Sequence, residues 1–173
     1  MTTVRELRVA TPEAMREVGA AVAAVARPGD LVVLVGPLGA GKTVFVQGVG
    51  AALGSAIPVT SPTFVISRVH ADGRLPLVHV DAYRLSLVDE VDDLDLDASL
   101  EDSLTVVEWG EGLVENLSET HLRVEIERDE GGAGPESADA GGAPLDRDED
   151  EERDERTVRL VAVGGDWAER LGA

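Results

Sequence analysis

Gly36-Pro37-Leu38-Gly39-Ala40-Gly41-Lys42-Thr43 places glycines, a lysine and a threonine in the order that a phosphate-binding loop needs. Glycines let the backbone curl closely around an anion, turn several amides inward and aim the positive end of the following helix at the same point. Lys42 is then placed for the β- and γ-phosphates of a nucleotide, and the Thr43 hydroxyl for Mg²⁺. The same residues in another context make an ordinary glycine turn, so the flanking strand and helix decide between the two. Lys42 is the only lysine in the chain, the fourteen other basic residues being arginine. A compact ammonium fits inside a ring of amides where a planar guanidinium does not. With no second lysine, an Asn-Lys-x-Asp segment for guanine is excluded, and the expected nucleotide is ATP. Its nearest backbone contacts are expected from Pro37, Leu38, Gly39, Ala40, Gly41, Lys42, Thr43 and Val44.

Such a site needs a second anchor for Mg²⁺ and a group to orient water. Asp81 ends Leu77-Val78-His79-Val80, and Glu108 ends Leu104-Thr105-Val106-Val107. Both acids are expected at strand carboxyl ends, where open α/β sheets bind ligands; the alternative for each is a cap on a turn or helix. Thr60-Ser61-Pro62-Thr63 offers hydroxyls on a connector, suited either to sensing a γ-phosphate or to a plain Ser-Pro turn. Arg84 pairs with phosphate or with the acidic stretch after it. Trp109 lines a nucleotide pocket or packs at the sheet edge. His79 alternates with apolar residues and reads as a core histidine, and His70 and His121 show no metal spacing. No histidine is assigned a metal.

These residues need elements to hold them. Leu31 to Val35 is an unbroken apolar run, as expected for a parallel strand covered on both faces, and it leads directly into the glycine loop. Phe45, Val46, Val49 and Leu53 follow at helical spacing, with Gly54 placed to end the helix. Upstream, residues 5–9 alternate as a strand, and Thr11-Pro12-Glu13 opens a helix running to about Ala26. Phe64–His70 and Leu75–Asp81, separated by a segment containing Asp72-Gly73, predict a hairpin with a tight turn. Leu85 to Leu100 predicts an acidic helix, with room for a second short one, Leu104 to Val107 a buried strand, and the stretch to about Asn116 a short helix. His121–Glu127 and Thr157–Val163 read as the arms of a second hairpin.

Charge and composition bound the rest. The chain has 173 residues, 43% hydrophobic and 3% aromatic, so one domain with an aliphatic core is expected over residues 1–173. Of the net charge of −19, residues 128–156 and 86–103 each contribute −8. Residues 128–156 hold almost nothing to bury and predict a disordered, acidic, solvated insertion. A strongly acidic chain repels phosphate backbones, which argues against direct binding of DNA or RNA and leaves any RNA to be reached through a partner. No segment is apolar enough to span a membrane and no leader pattern is present, so a cytoplasmic protein is expected.

Taken in order, Gly36 to Thr43, Thr60-Ser61-Pro62-Thr63-Phe64, His79-Val80-Asp81-Ala82-Tyr83-Arg84-Leu85 and Glu108-Trp109 resemble the bacterial TsaE (YjeE) family. The likeness spans nearly the whole chain apart from the acidic insertion. It implies a P-loop NTPase-like three-layer α/β sandwich, with a mostly parallel sheet and antiparallel additions. It further implies an Mg²⁺-dependent ATP hydrolase supporting threonylcarbamoyladenosine formation on the adenosine beside the anticodon, together with TsaD and TsaB. By position, the resemblance makes Lys42 the phosphate ligand, Thr43 and Glu108 the holders of Mg²⁺, and Asp81 the essential acid near it. Ser61, Pro62 and Thr63 become a switch. Pro37 departs from the polar residue common there in the family, and the insertion replaces a short turn. A small-molecule kinase would need an arginine-rich lid, whereas the available segments are acidic; a nucleotide-sensing scaffold that does not cleave ATP is the third reading.

Overall fold

A computed structural model describes residues 1–62, 66–83, 101–112, 118–128 and 155–172. Among the described residues seven strands form one sheet: β1 (Thr2–Val9), β2 (Leu31–Val35), β3 (Ser67–His70), β4 (Leu77–Asp81), β5 (Leu104–Glu108), β6 (His121–Arg128) and β7 (Arg156–Val163). Their order is β1-β7-β6-β2-β5-β4-β3. The central strands β6, β2, β5 and β4 are parallel, and the antiparallel pairings β1 with β7, β7 with β6, and β3 with β4 lie toward the edges. The parallel centre explains the unbroken apolar sequence of β2, because Leu31, Val32, Val33 and Leu34 are all fully buried.

Helices α1 (Pro12–Val25), α2 (Lys42–Leu53) and α3 (Trp167–Gly172) contribute to the larger core. In α1 the Thr11 side chain accepts from the Ala14 amide at 3.1 Å and Pro12 occupies the first turn, as its sequence dictates. The buried face of α1 comprises Met15, Val18, Gly19, Val22 and Ala23. It meets α2 at very close range: a Cβ on Gly48 would sit 2.1 Å from the Arg16 carbonyl oxygen, and one on Gly19 2.2 Å from that of Phe45. Both glycines therefore serve backbone approach. Phe45, Val46 and Val49 share this core with Val32, Leu34, Val106, Leu122 and Val124 of the sheet. Leu31, Val33, Val78, Val80 and Val107 form a second cluster on the other sheet face. The helix expected over Leu85 to Leu100 lies outside the described residues, as does most of the one expected before Asn116.

Three local readings change. The expected hairpin forms, β3 pairing antiparallel with β4, but its second arm begins at Leu77 rather than Leu75, so the connection carrying Asp72-Gly73 is longer than the tight turn expected. The loop instead docks on the end of α2: Asp72 accepts from the Ala56 amide at 2.6 Å, and the Arg74 amide donates to the Leu53 carbonyl at 2.7 Å. β1 starts at Thr2 rather than at residue 5, since a register shift between Thr3 and Arg5 interrupts the alternation. Arg128 and Arg156 pair with each other at the end of the β6–β7 ladder, so both end residues of the expected insertion belong to strands; residues 129–154 lie outside the described region.

α3 has no counterpart in the sequence reading. It is six residues long, too short to display a period, yet Trp167 and Leu171 are buried in the larger core. Arg170 lies with its guanidinium carbon 4.1 Å from the Trp167 ring centroid and donates to both oxygens of Asp30, at 2.7 and 2.9 Å. This ties the end of the chain to the start of β2.

Candidate functional site

Parallel register determines where the chemistry collects. Leu34 lies opposite Glu108, and Asp81 lies opposite the same Glu108. The carboxyl ends of β2, β5 and β4 are therefore adjacent, and the glycine loop leaving β2 meets both acids at one edge of the sheet. Gly36 cannot carry a side chain there, since a Cβ would lie 2.4 Å from the Ile126 carbonyl oxygen. Gly41, at φ +105°, caps α2 in the left-handed region that glycine adopts without strain. No side chain caps this helix start, so it presents backbone amides to the cleft beside it.

Lys42 is buried, and its ammonium donates to the Gly36 carbonyl at 2.8 Å and the Pro37 carbonyl at 2.9 Å. The same nitrogen stands 3.6 Å from the centroid of the Trp109 ring. Burial lowers its pKa from 10.5, while Glu108 and Asp81 act in the opposite direction. The Thr43 hydroxyl donates toward the Glu108 carboxylate, with Oε1 at 3.0 Å and Oε2 at 3.3 Å. His79 Nε2 lies 2.8 Å from the same Oε1. Asp81 Oδ1 accepts from the Tyr83 amide at 3.0 Å. Trp109 follows β5 at φ +61°, unusual for a bulky residue, and its ring is 5.2 Å from that of Tyr83.

A cleft of about 280 Å³ is lined by Leu38, Gly39, Gly41, Lys42, Thr43 and Val44 from the loop and α2, and by Ser61, Asp81, Glu108 and Trp109 across from them. Not every candidate residue faces it. The Ala40 methyl is buried in the core, Pro62 is buried away from the lining, and Pro37 borders a neighbouring cavity with Trp109 and Glu111. Thr63 and Arg84 lie outside the described residues. Sequence reasoning missed the contact between His79 and Glu108. Its signal was available, because positions 79 and 81 fall on the same face of one strand.

The oxygen donors of Thr43, Glu108 and Asp81 suit a hard divalent cation. Among the described residues no group of three or more His, Cys, Asp or Glu side chains forms a metal cage. Mg²⁺ is commonly held by one or two carboxylates together with phosphates and water.

The family described as threonylcarbamoyl adenosine biosynthesis protein TsaE matches residues 9–134. The chain belongs to the TsaE family. It is 61% identical over 118 residues to the tRNA threonylcarbamoyladenosine biosynthesis protein TsaE of Streptomyces coelicolor, covering 66% of this chain and 79% of that protein. Similarity to the protein of the same name from Bacillus subtilis is 41% identity over 122 residues, covering 70% and 76% of the two chains. For the Mycobacterium tuberculosis H37Rv protein it is 54% over 109 residues, covering 58% of this chain and 65% of that protein. In three dimensions, the crystal structure of Bacillus subtilis YdiB aligns with a TM-score of 0.68 at 31% identity, over 98% of this chain and 94% of that one. The TsaE match contains every residue lining the cleft, whereas β7 and α3 lie beyond its end. No described helix is long and apolar enough to cross a membrane.

Proposed function

We propose that this chain is a P-loop ATPase, Mg²⁺-dependent, that supports threonylcarbamoyladenosine formation in tRNA by acting with TsaD and TsaB. The observation that carries the reading is the Thr43 hydroxyl bonded to the Glu108 carboxylate at 3.0 Å, one residue along α2 from Lys42. A glycine loop that only turned the chain would not need a buried acid from another strand aimed at the threonine.

In this reading the loop from Pro37 to Val44 and the amides at the start of α2 bind the phosphates. Lys42 supplies a charge-assisted donor from a buried position, where such bonds are strongest. Thr43 and Glu108 hold Mg²⁺, with Asp81 beside them, and Trp109 shields the lysine. Mg²⁺, when bound, neutralises charge on the phosphoryl oxygens. Ser61, Pro62 and Thr63 form the switch segment, of which Ser61 reaches the cleft wall. A sheet with a parallel centre and the glycine loop leaving the carboxyl end of β2 is in keeping with a P-loop sandwich, and the net charge of −19 favours approach to tRNA through the partner complex.

The test is ATP hydrolysis by the isolated protein with Mg²⁺, followed by co-elution with TsaB and TsaD in the presence and absence of ATP. Slow turnover abolished by Lys42→Ala, with nucleotide-dependent association, is the expected result. Wild-type turnover at the Lys42→Ala background refutes the hydrolase.

A further inference from the structure

We infer that His79 is a positioning residue for Glu108, holding Oε1, the carboxylate oxygen nearer the Thr43 hydroxyl, and thereby fixing how the group is turned toward Thr43 and the cation. The inference rests on the reading of Thr43 and Glu108 as the Mg²⁺-holding pair. His79 is fully buried in β4, opposite Val106 of β5, two residues behind the pairing of Asp81 with Glu108. Two parallel strands thus hold the imidazole in fixed register with the carboxylate. Its Nε2 is 2.8 Å from Glu108 Oε1, while Nδ1 is shielded from solvent without a partner among the described residues. A hydrogen on Nδ1 would be a buried donor with no acceptor, and Nε2 would then set a lone pair against a carboxylate oxygen. The ring hydrogen therefore sits on Nε2 and is donated to Oε1.

The terminal torsion of a glutamate is broad and roughly two-fold, so a carboxylate has little orientation of its own. The Thr43 hydroxyl rotates freely and cannot impose one. A rigid ring anchored in the central sheet can. Groups behind metal-binding carboxylates commonly set ligand orientation in this way. A purely structural histidine, by contrast, would affect folding and leave the response to Mg²⁺ untouched.

Calorimetric binding of the non-hydrolysable analogue adenylyl imidodiphosphate to the full chain separates these cases, measured once with EDTA and once with Mg²⁺. The affinity gain from Mg²⁺ should fall roughly 10- to 100-fold in His79→Leu, with affinity in EDTA preserved, and be largely restored in His79→Gln, which keeps an amide donor. A wild-type gain in His79→Leu overturns the positioning role if Glu108→Gln has lost that gain. If Glu108→Gln also keeps it, the assignment of Glu108 to Mg²⁺ fails first. Should His79→Leu not fold, nitrogen-15 NMR of the wild-type imidazole decides. A hydrogen on Nε2, with ring shifts that respond to the Mg²⁺ complex and not to nucleotide in EDTA, supports the role; a hydrogen on Nδ1 overturns it.

Discussion

Gly48→Ala adds one methyl group at the crossing of α1 and α2, and its cost can be worked from three distances. The new Cβ would lie 2.1, 2.6 and 2.7 Å from the carbonyl oxygen, Cα and carbonyl carbon of Arg16, where real contacts essentially never fall below 3.0 Å. The nearest approach is short by about 1 Å, and every obstructing atom is backbone, so no side chain can rotate aside. The helices must part, and a gap of about 1 Å forfeits a quarter to a half of each dispersion contact across it. Met15, Val18, Phe45, Val46 and Val49 all lie in the affected core. Against this, alanine is the better helix former by about 1 kcal/mol. The expected net loss is about 2–3 kcal/mol, or roughly 5–10 °C in Tm for a chain of this size. Urea and thermal unfolding followed by circular dichroism measure it. Ala52→Gly, on the exposed side of the same helix, sets the scale of helix propensity alone at about 1 kcal/mol. Because α2 begins with Lys42 and Thr43, Gly48→Ala should also weaken nucleotide binding. A Gly48→Ala protein as stable as wild type would refute the close-approach argument.

Arg170→Ala removes a nearly buried guanidinium from Asp30 and from the Val25 carbonyl, and should cost about 3 kcal/mol in urea unfolding without changing nucleotide affinity. The Lys42 ammonium has its pKa lowered from 10.5 chiefly by burial, so nucleotide affinity should decline as pH rises through a midpoint below 10.5, and Lys42→Ala should lack that decline. The stability sign is separate: between the folded value and 10.5 the unfolded chain holds the proton more tightly, so the Lys42 contribution to stability rises with pH across that window. The Asp72 carboxyl is held below 3.8 mainly by the Ala56 amide, and its contribution is present above that value and lost as pH falls through the folded pKa. The gap in urea midpoint between wild type and Asp72→Ala should therefore be present at neutral pH and shrink in acid.

Elements with strong patterns were readable because one physical cause dominated each. An apolar run before a glycine loop leaves little choice for β2, and Thr11-Pro12 specifies how α1 starts. α3 was missed because six residues cannot show a helical period; its evidence is tertiary, in the burial of Trp167 and the ion pair from Arg170 to a distant Asp30. Asp72-Gly73 marked the β3–β4 hairpin but not the length of its connection. Those residues are favourable in a tight turn, but here Asp72 also accepts from the Ala56 amide beyond the end of α2, and Gly73 is needed where a Cβ would lie 2.7 Å from the Leu53 carbonyl.

The site was legible as a list of residues and hidden as a set of contacts. Lys42, Thr43, Asp81 and Glu108 could each be named from local pattern, yet Thr43 and Glu108 are separated by 65 positions and meet only through parallel register. That same register converts His79 from a generic core histidine into a donor for Glu108. A buried carboxylate needs its oxygens satisfied, and the sequence linked Glu108 to Thr43 only through an expected Mg²⁺ and to His79 not at all. Knowing that β4 lies beside β5 is enough to place Asp81 level with Glu108 and His79 two residues behind it. The long-range information missing from the sequence is thus largely strand order, and once that order is given the alternation of side chains supplies the rest.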